Sequence, residues 1–354
     1  MSRLRPPVRA ALKLILLAVV LVVFVRPIAS NFRKALHDLR DVHVYLLVGG
    51  VLLQGFALIA YTNVTRAALG PIGRQLSVWH VLRIQMSTRA LGGVVPGGAA
   101  AGPALGFRLL TQSGVPGRDA GFALGAAGMV SSVMLNVLLW IGLLVSIPMR
   151  GVHRLYLAAA VLGLVTIALF GLVVIGLIRG DHRIDRPILR LARLFRRNEA
   201  TAAAVLRDLG IRLRMLTRDG PMLRRVAGWA LLNWTIDAAS LWVFVRAFGG
   251  TVQVDTLFVA FGIANILAAI PISPSGIGIV EWAYITTLVG FGMPLSIATL
   301  GVAAYRFGKV LLPLPIGGLL YLSLRFGPWS IERSRDRLDS GGALSPTASP
   351  APRS

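Results

Sequence analysis

The chain is predicted to be an all-α polytopic integral membrane protein, with about six full spans and two re-entrant broken-helix hairpins. Three observations predict it. Mean hydropathy is +0.73 and hydrophobic residues make up 55% of the 354. Charged residues are 14%, against roughly 25% in a soluble globular chain. Apolar runs long enough to cross a bilayer recur along the chain, where ~20 residues suffice. An ordinary soluble enzyme is excluded. The absence of cysteine excludes disulfides, zinc-thiolate sites, Fe–S clusters and a Cys nucleophile.

The six spans fall at 10–25, 43–65, 121–146, 155–178, 226–247 and 296–322. A cleaved signal peptide is the competing reading of the first, but the run ends at Arg26-Pro27 without a small-x-small site. Basic residues orient the bundle. Of 37 Lys and Arg, 28 lie in 1–13, 66–90, 108–120, 179–225 and the tail from 323, against six in 26–42 and 147–154. That bias puts both termini in the cytoplasm. In 31–42, Phe32, Leu36 and Leu39 recur at helical spacing and predict an amphipathic helix on the outer face. The 179–225 segment alternates Arg with Leu and Ile. It predicts surface helices held to anionic lipid on the inner face. Lipid and span flanks account for the net charge of +23, so no nucleic-acid partner is expected. The transmembrane domain is 1–322 and the tail 323–354, disordered from about 339, where it is polar and rich in Pro and Gly.

Two apolar segments are interrupted. Segment 91–107 carries Pro96, Gly97, Gly98 and Gly102; segment 255–291 carries Pro271, Ser273, Pro274, Gly276 and Gly278. Pro removes a backbone donor and Gly weakens a helix, so both centres are expected to unwind. Unwound backbone at membrane depth needs protein or a wet cavity around it. Re-entrant hairpins satisfy this: the first from the cytoplasmic side, with Arg89 and Arg108 both inside, and the second from the outer side. Each half then reads span, span, hairpin, span, in opposite orientation. That is the pattern of an inverted repeat with a substrate site between broken helices. Identity between the halves is negligible beyond the Pro/Gly clusters, and a counting coincidence is the alternative.

Ionisable residues at membrane depth cost ~2.5–3.5 kcal/mol each on insertion scales and so mark function. Glu281 follows the second break, and Arg306 and Lys309 share a face of the last span. A Glu281–Arg306 pair is expected, with Arg306, Lys309 and Arg108 binding a lipid phosphate. A static pair that locks the fold is the competing reading. Asp237 lies within span five, with Asn233 one turn earlier. It either balances Lys309 or binds a coupling proton. Asn265 is read as a helix–helix hydrogen-bonding residue. The histidines, His37, His43, His80, His153 and His182, are dispersed and predict no metal site.

The run Pro271-Ile272-Ser273-Pro274-Ser275-Gly276-Ile277-Gly278-Ile279-Val280-Glu281, followed by Tyr305-Arg306, resembles the P-x-S-P-G-G-x-G-x-x-E and Y-R elements of the flippase-like membrane domain of lysylphosphatidylglycerol synthases. Ser275 replaces the usual first Gly. Pro96-Gly97-Gly98-Ala99-Ala100-Ala101-Gly102 with Arg108 is similar to the family's first signature, and the resemblance covers about 10–322. In fused members a soluble aminoacyl-transferase domain follows. The present chain leaves no room for one after the last span, so the resemblance implies a stand-alone member that translocates lipid without lysinylating it.

The leading expectation is a flippase or transporter, not an enzyme, for an anionic phospholipid or polyprenyl lipid. It would sit in a bacterial cytoplasmic membrane and need no cofactor. A second copy of the chain or a separate lipid-modifying enzyme is the protein partner to look for. Two other classes compete: a scaffold for a lipid-modifying enzyme, and a lipid-phosphate-dependent glycosyltransferase using Asp38 and Asp41. A scaffold would tolerate neutral replacements of Glu281 and Arg306.

Overall fold

The computed structural model describes residues 42–94, 98–150, 154–179, 219–268 and 276–325. The expected first span at 10–25, the outer helix before residue 42, 180–218 of the basic segment and the tail from 326 lie outside them. Among the described residues every regular element is helical. In chain order these are α1 (Val44–Ala68), α2 (Pro71–Gln75), α3 (Val78–Val94), α4 (Gly98–Gln112), α5 (Gly117–Arg150), α6 (Arg154–Arg179), α7 (Gly220–Ala247), α8 (Val254–Ala268), α9 (Ile279–Gly290), α10 (Leu295–Arg306), a π turn (Phe307–Leu311) and α11 (Pro313–Arg325).

Among the described residues three stretches are long and apolar enough to cross a membrane: Val44–Ala68, Gly117–Pro148 and Leu295–Leu324. The 25 residues of α1 rise about 37 Å, enough for a hydrocarbon core of ~30 Å. One face of α1 presents Val44, Val48, Leu52 and Phe56, all exposed. Leu157, Val161, Leu164 and Val165 do the same on α6. In water such faces would drive association; against acyl chains they need no protein partner. The chain is a helical membrane protein.

Local chemistry sets the helix ends. Arg66, in the last turn of α1, donates through Nε to the carbonyls of Gly73 (3.2 Å) and Leu76 (3.1 Å), closing the turn into α2. Asp219 caps α7 by accepting from the Met222 amide at 2.9 Å. The segment 66–90, expected as a cytoplasmic loop, is helical from Val78 onward. The first broken segment is therefore longer than 91–107. Its arms are α3 and α4, antiparallel, with Thr88 facing both Gly102 and Gly106, and Gly92 facing Gly102. The second has α8 and α9 as arms, with Asn265 bonded to Tyr284 and Ala268 beside Gly276.

Apolar burial does little to hold helices together in lipid, so close approach at small residues takes over. A Cβ on Gly262 would strike Leu139, one on Gly50 the Phe244 ring, and one on Gly301 the Val245 backbone. The packing repeats one pattern. α3, first arm of the first broken pair, lies along α11, while α8, first arm of the second, lies along α5. α1 and α7, which precede the two pairs, pack on each other.

Candidate functional site

The last helix organises the charges. The span expected over 296–322 falls on the stretch Leu295–Leu324, and within it the helix runs as α10, a π turn and α11. Pro313 supplies the cause. It has no N–H to return to the carbonyl of Lys309, and its ring would clash there in a regular helix. The turn widens instead, with Leu312 N–H donating to the Phe307 carbonyl at 2.9 Å, five residues back. The Gln54 amide of α1 reaches in and donates to the Tyr305 carbonyl at 2.9 Å. Gly308 permits that approach, since a Cβ there would collide with Gln54 Oε1. Such π bulges recur at functional positions.

Two acid–base pairs sit around this turn. Arg306 Nε lies 2.5 Å from Glu281 Oε1, with their side chains 9% and 20% exposed. The other carboxylate oxygen accepts the Gly278 amide at 2.6 Å, so Glu281 also closes the start of α9. Gly276 and Gly278 have φ of 70° and 88°, a backbone region open to glycine, and this turns the chain into α9. Glu281 and Arg306 are direct partners, as their shared depth in an apolar bundle demanded.

The second pair is Lys309 and Asp237, 2.6 Å apart, with side chains 18% and 8% exposed. Tyr305 closes a three-membered ring: its hydroxyl donates to Asp237 Oδ1 at 3.1 Å and accepts from Lys309 at 2.7 Å. The Lys309 ammonium lies 5.8, 5.7 and 5.2 Å from the ring centres of Trp234, Phe261 and Tyr305. Those faces attract a desolvated cation. Trp234 is held by its indole N–H on Ser131 of α5. Asn265 stands 3.5 Å from Lys309 and donates to the Tyr284 hydroxyl at 2.6 Å, joining α8, α9 and the π turn. Asn233, one turn before Asp237, bonds elsewhere: oriented to satisfy both ends of its amide, it donates to the Ala57 carbonyl of α1 at 2.8 Å.

The other site residues fall elsewhere. Arg108 is exposed on α4, a helix that packs on α3 and α5, and the structure does not bring it to Arg306 and Lys309. Gly98 opens α4, and Gly102 is buried against the Thr88 carbonyl. Pro96, Gly97, Pro271, Ser273 and Pro274 lie outside the described residues, so the two tips and any space between them are not described. A cavity of about 360 Å³ opens where α8 begins and α9 ends, lined by Thr251, Thr256, Phe291 and Met293 among others. Among the described residues no group of three or more His, Asp or Glu side chains is arranged for a metal; buried His80 instead bonds Ser113 at 2.8 Å.

Trp234, Phe261 and Gln54 were missed in the sequence, and Tyr305 entered only as part of the Y-R element. Tyr305 stands four residues before Lys309 and Trp234 three before Asp237, spacings that share a helix face. Gln54 carries no such signal. Arg89 was counted with the cytoplasmic loop, but it stands on α3 within the bundle, its guanidinium 5.8 Å from the centre of the Tyr61 ring.

No curated protein matches the chain. The family described as the lysylphosphatidylglycerol synthase TM region matches residues 10–317. That match takes in α1 to the π turn and both charge pairs, in an all-helical membrane chain. The chain belongs to the lysylphosphatidylglycerol synthase transmembrane-region family.

Proposed function

We propose that the protein moves an anionic phospholipid or polyprenyl phosphate lipid across the bacterial cytoplasmic membrane, without covalent chemistry. The observation that carries this reading is the Glu281–Arg306 pair, buried beside a π turn and at the foot of a broken helix. A guanidinium can exchange one oxyanion for another with the same planar fork. In this reading a lipid phosphate takes the Arg306 face that Glu281 holds at rest, and Glu281 takes it back on release. Lys309 adds positive potential, and Asp237 holds Lys309 in place.

Six spans, two re-entrant hairpins and cytoplasmic termini complete the scheme. The reciprocal packing of α3 on α11 and of α8 on α5 supports two inverted halves, because a pseudo-twofold axis exchanges those contacts. Acyl tails stay in the bilayer, so the path for the head group opens sideways to lipid.

The test is reconstitution in vesicles with fluorescent phosphatidylglycerol and polyprenyl phosphate, scored by a membrane-impermeant quencher. Wild type is expected to move label between leaflets, and Glu281→Gln and Arg306→Gln to lower the rate at least tenfold while keeping the fold. Movement unaffected by both replacements would instead favour a scaffold for a lipid-modifying enzyme.

A further inference from the structure

The two ion pairs around the π turn take an added proton differently. Arginine does not give up its proton, and Glu281 is held as a carboxylate from both sides. The Arg306 guanidinium sits on one oxygen and the Gly278 amide on the other. Neither donor can turn round and accept. Asp237 has Lys309 on Oδ2 and the Tyr305 hydroxyl on Oδ1. A hydroxyl both donates and accepts. A proton on Oδ1 is therefore accommodated with no hydrogen bond lost. The new O–H donates to the Tyr305 oxygen, and Oδ2 still accepts from Lys309. Tyr305 then turns its own hydrogen toward Tyr284, whose ring centre is 5.7 Å away and whose hydroxyl takes the Asn265 amide.

The groups that face Asp237 come from several elements. α10 brings Tyr305 and Arg306, the π turn Lys309, and α9 Tyr284 and Glu281. α8 brings the neutral Asn265; its acid, Asp255, stands at its first turn and takes the Ser146 hydroxyl of α5. α1 brings the neutral Gln54 and Tyr61. Arg89 of α3 stands on the Tyr61 ring, in a turn that packs on Gly317 of α11. On α7 itself, Arg246 lies in the last turn.

The two pairs are neutral together. A phosphate oxyanion brought to Arg306 and Lys309 leaves one negative charge unanswered in an apolar bundle. A proton on Asp237 restores the balance and leaves the ammonium to the phosphate. Proton and phosphate then strengthen each other's binding by the same factor.

We infer that the protein is a proton symporter for its lipid and that Asp237 carries the proton. This rests on the lipid-moving role proposed above and adds its driving force. With the site open to one aqueous face, a proton from water bonds to Asp237 Oδ1 as the phosphate enters. With the site open to the other face, that O–H bond breaks and the proton returns to water. Asp237 then pairs with Lys309 again as the phosphate leaves. No electrons are exchanged, and a phosphate bearing one charge crosses without net charge movement.

The experiment uses the full chain in vesicles with a trace of fluorescent phosphatidylglycerol and an imposed pH gradient, with protein-free vesicles as background. In wild type, label should accumulate in the leaflet facing the alkaline side, toward about tenfold per unit of pH. A potassium–valinomycin potential at equal pH should not displace it. Even distribution across the gradient, by protein that moves label, would overturn the coupling and leave the transport role standing. No movement in wild type would remove both. Asp237→Asn/Lys309→Met strands neither charge, and thermal unfolding in detergent shows whether it is folded. At whatever rate it moves label, the distribution should be even under the gradient; accumulation as in wild type would overturn the assignment.

Proton uptake is also read directly, with detergent-solubilised protein in weak buffer, a pH indicator and short-chain phosphatidylglycerol. Wild type should take up to about one proton per lipid bound, and the double variant none. Glu281→Gln should keep the uptake for each lipid it still binds. Lipid binding without proton uptake in wild type, or uptake lost in Glu281→Gln but kept in the double variant, refutes Asp237 as the carrier.

Discussion

Replacing Asp237 with Asn removes one negative charge from a site whose side chain is only 8% exposed. The asparagine can still accept from the Tyr305 hydroxyl. Lys309, however, is left as a cation among Trp234, Phe261 and Tyr305, with only Tyr305 and Asn265 as hydrogen-bonding partners. Breaking a buried pair by removing one partner costs ~3–5 kcal/mol. Lys309 is 18% exposed and partly offset by the three rings, which places this variant near ~3 kcal/mol, about a hundredfold in the folding equilibrium. Lys309→Met strands Asp237 in a drier position and should lie nearer the upper end of that range. The double variant Asp237→Asn/Lys309→Met strands neither charge and should be more stable than either single. The departure from additivity should be ~2 kcal/mol or more, as for residues in direct contact. Equilibrium unfolding in mixed micelles of increasing SDS content, followed by tryptophan fluorescence and circular dichroism, measures all four proteins. Additive losses, with the double variant least stable, would refute the claim that each charge is tolerated because of the other.

Arg306→Lys should lower lipid movement nearly as far as Arg306→Gln in the vesicle assay, because an ammonium cannot present the planar fork; equal activity of the lysine variant would show that charge alone suffices. Gly308→Ala should destabilise by ~1–3 kcal/mol in the same unfolding titration, since its methyl meets Gln54 Oε1, and Gln54→Ala should recover part of the loss. Cysteines placed at Ser77 and Gln112, at the open ends of α3 and α4, should both react with an impermeant maleimide only from the cytoplasmic side; labelling of either from outside would end the re-entrant reading. Gly262→Leu should destabilise more than Gly228→Leu, because the first strikes Leu139 and the second has open space.

Membrane class, the spans at 43–65, 121–146, 155–178 and 226–247, each of which falls on a helix, and the two interrupted segments follow from the sequence by itself. They rest on local properties: apolar run length, and the Pro and Gly that remove or loosen helix bonds. The Glu281–Arg306 partnership was also legible, because two charges of opposite sign at similar depth in an apolar bundle have few other places to go. What tertiary structure decided was contact between distant segments. The sequence offered Lys309 to Asp237 as one of two readings; the tertiary structure makes that contact and brings Trp234, Phe261 and Tyr305 around the ammonium. Arg89 shows the limit most clearly. Counting it as a loop cation suited the charge bias, since four basic residues lie in 66–90. But α3 is only weakly amphipathic in its sequence, and its helical fate depends on α11 and α4 packing along it. Arg108 shows the converse: it resembles a site residue beside the first signature, yet its helix turns it outward. Side-chain direction on a helix is fixed by which neighbours bury the other face, and those neighbours lie too far along the chain for any local pattern to name them.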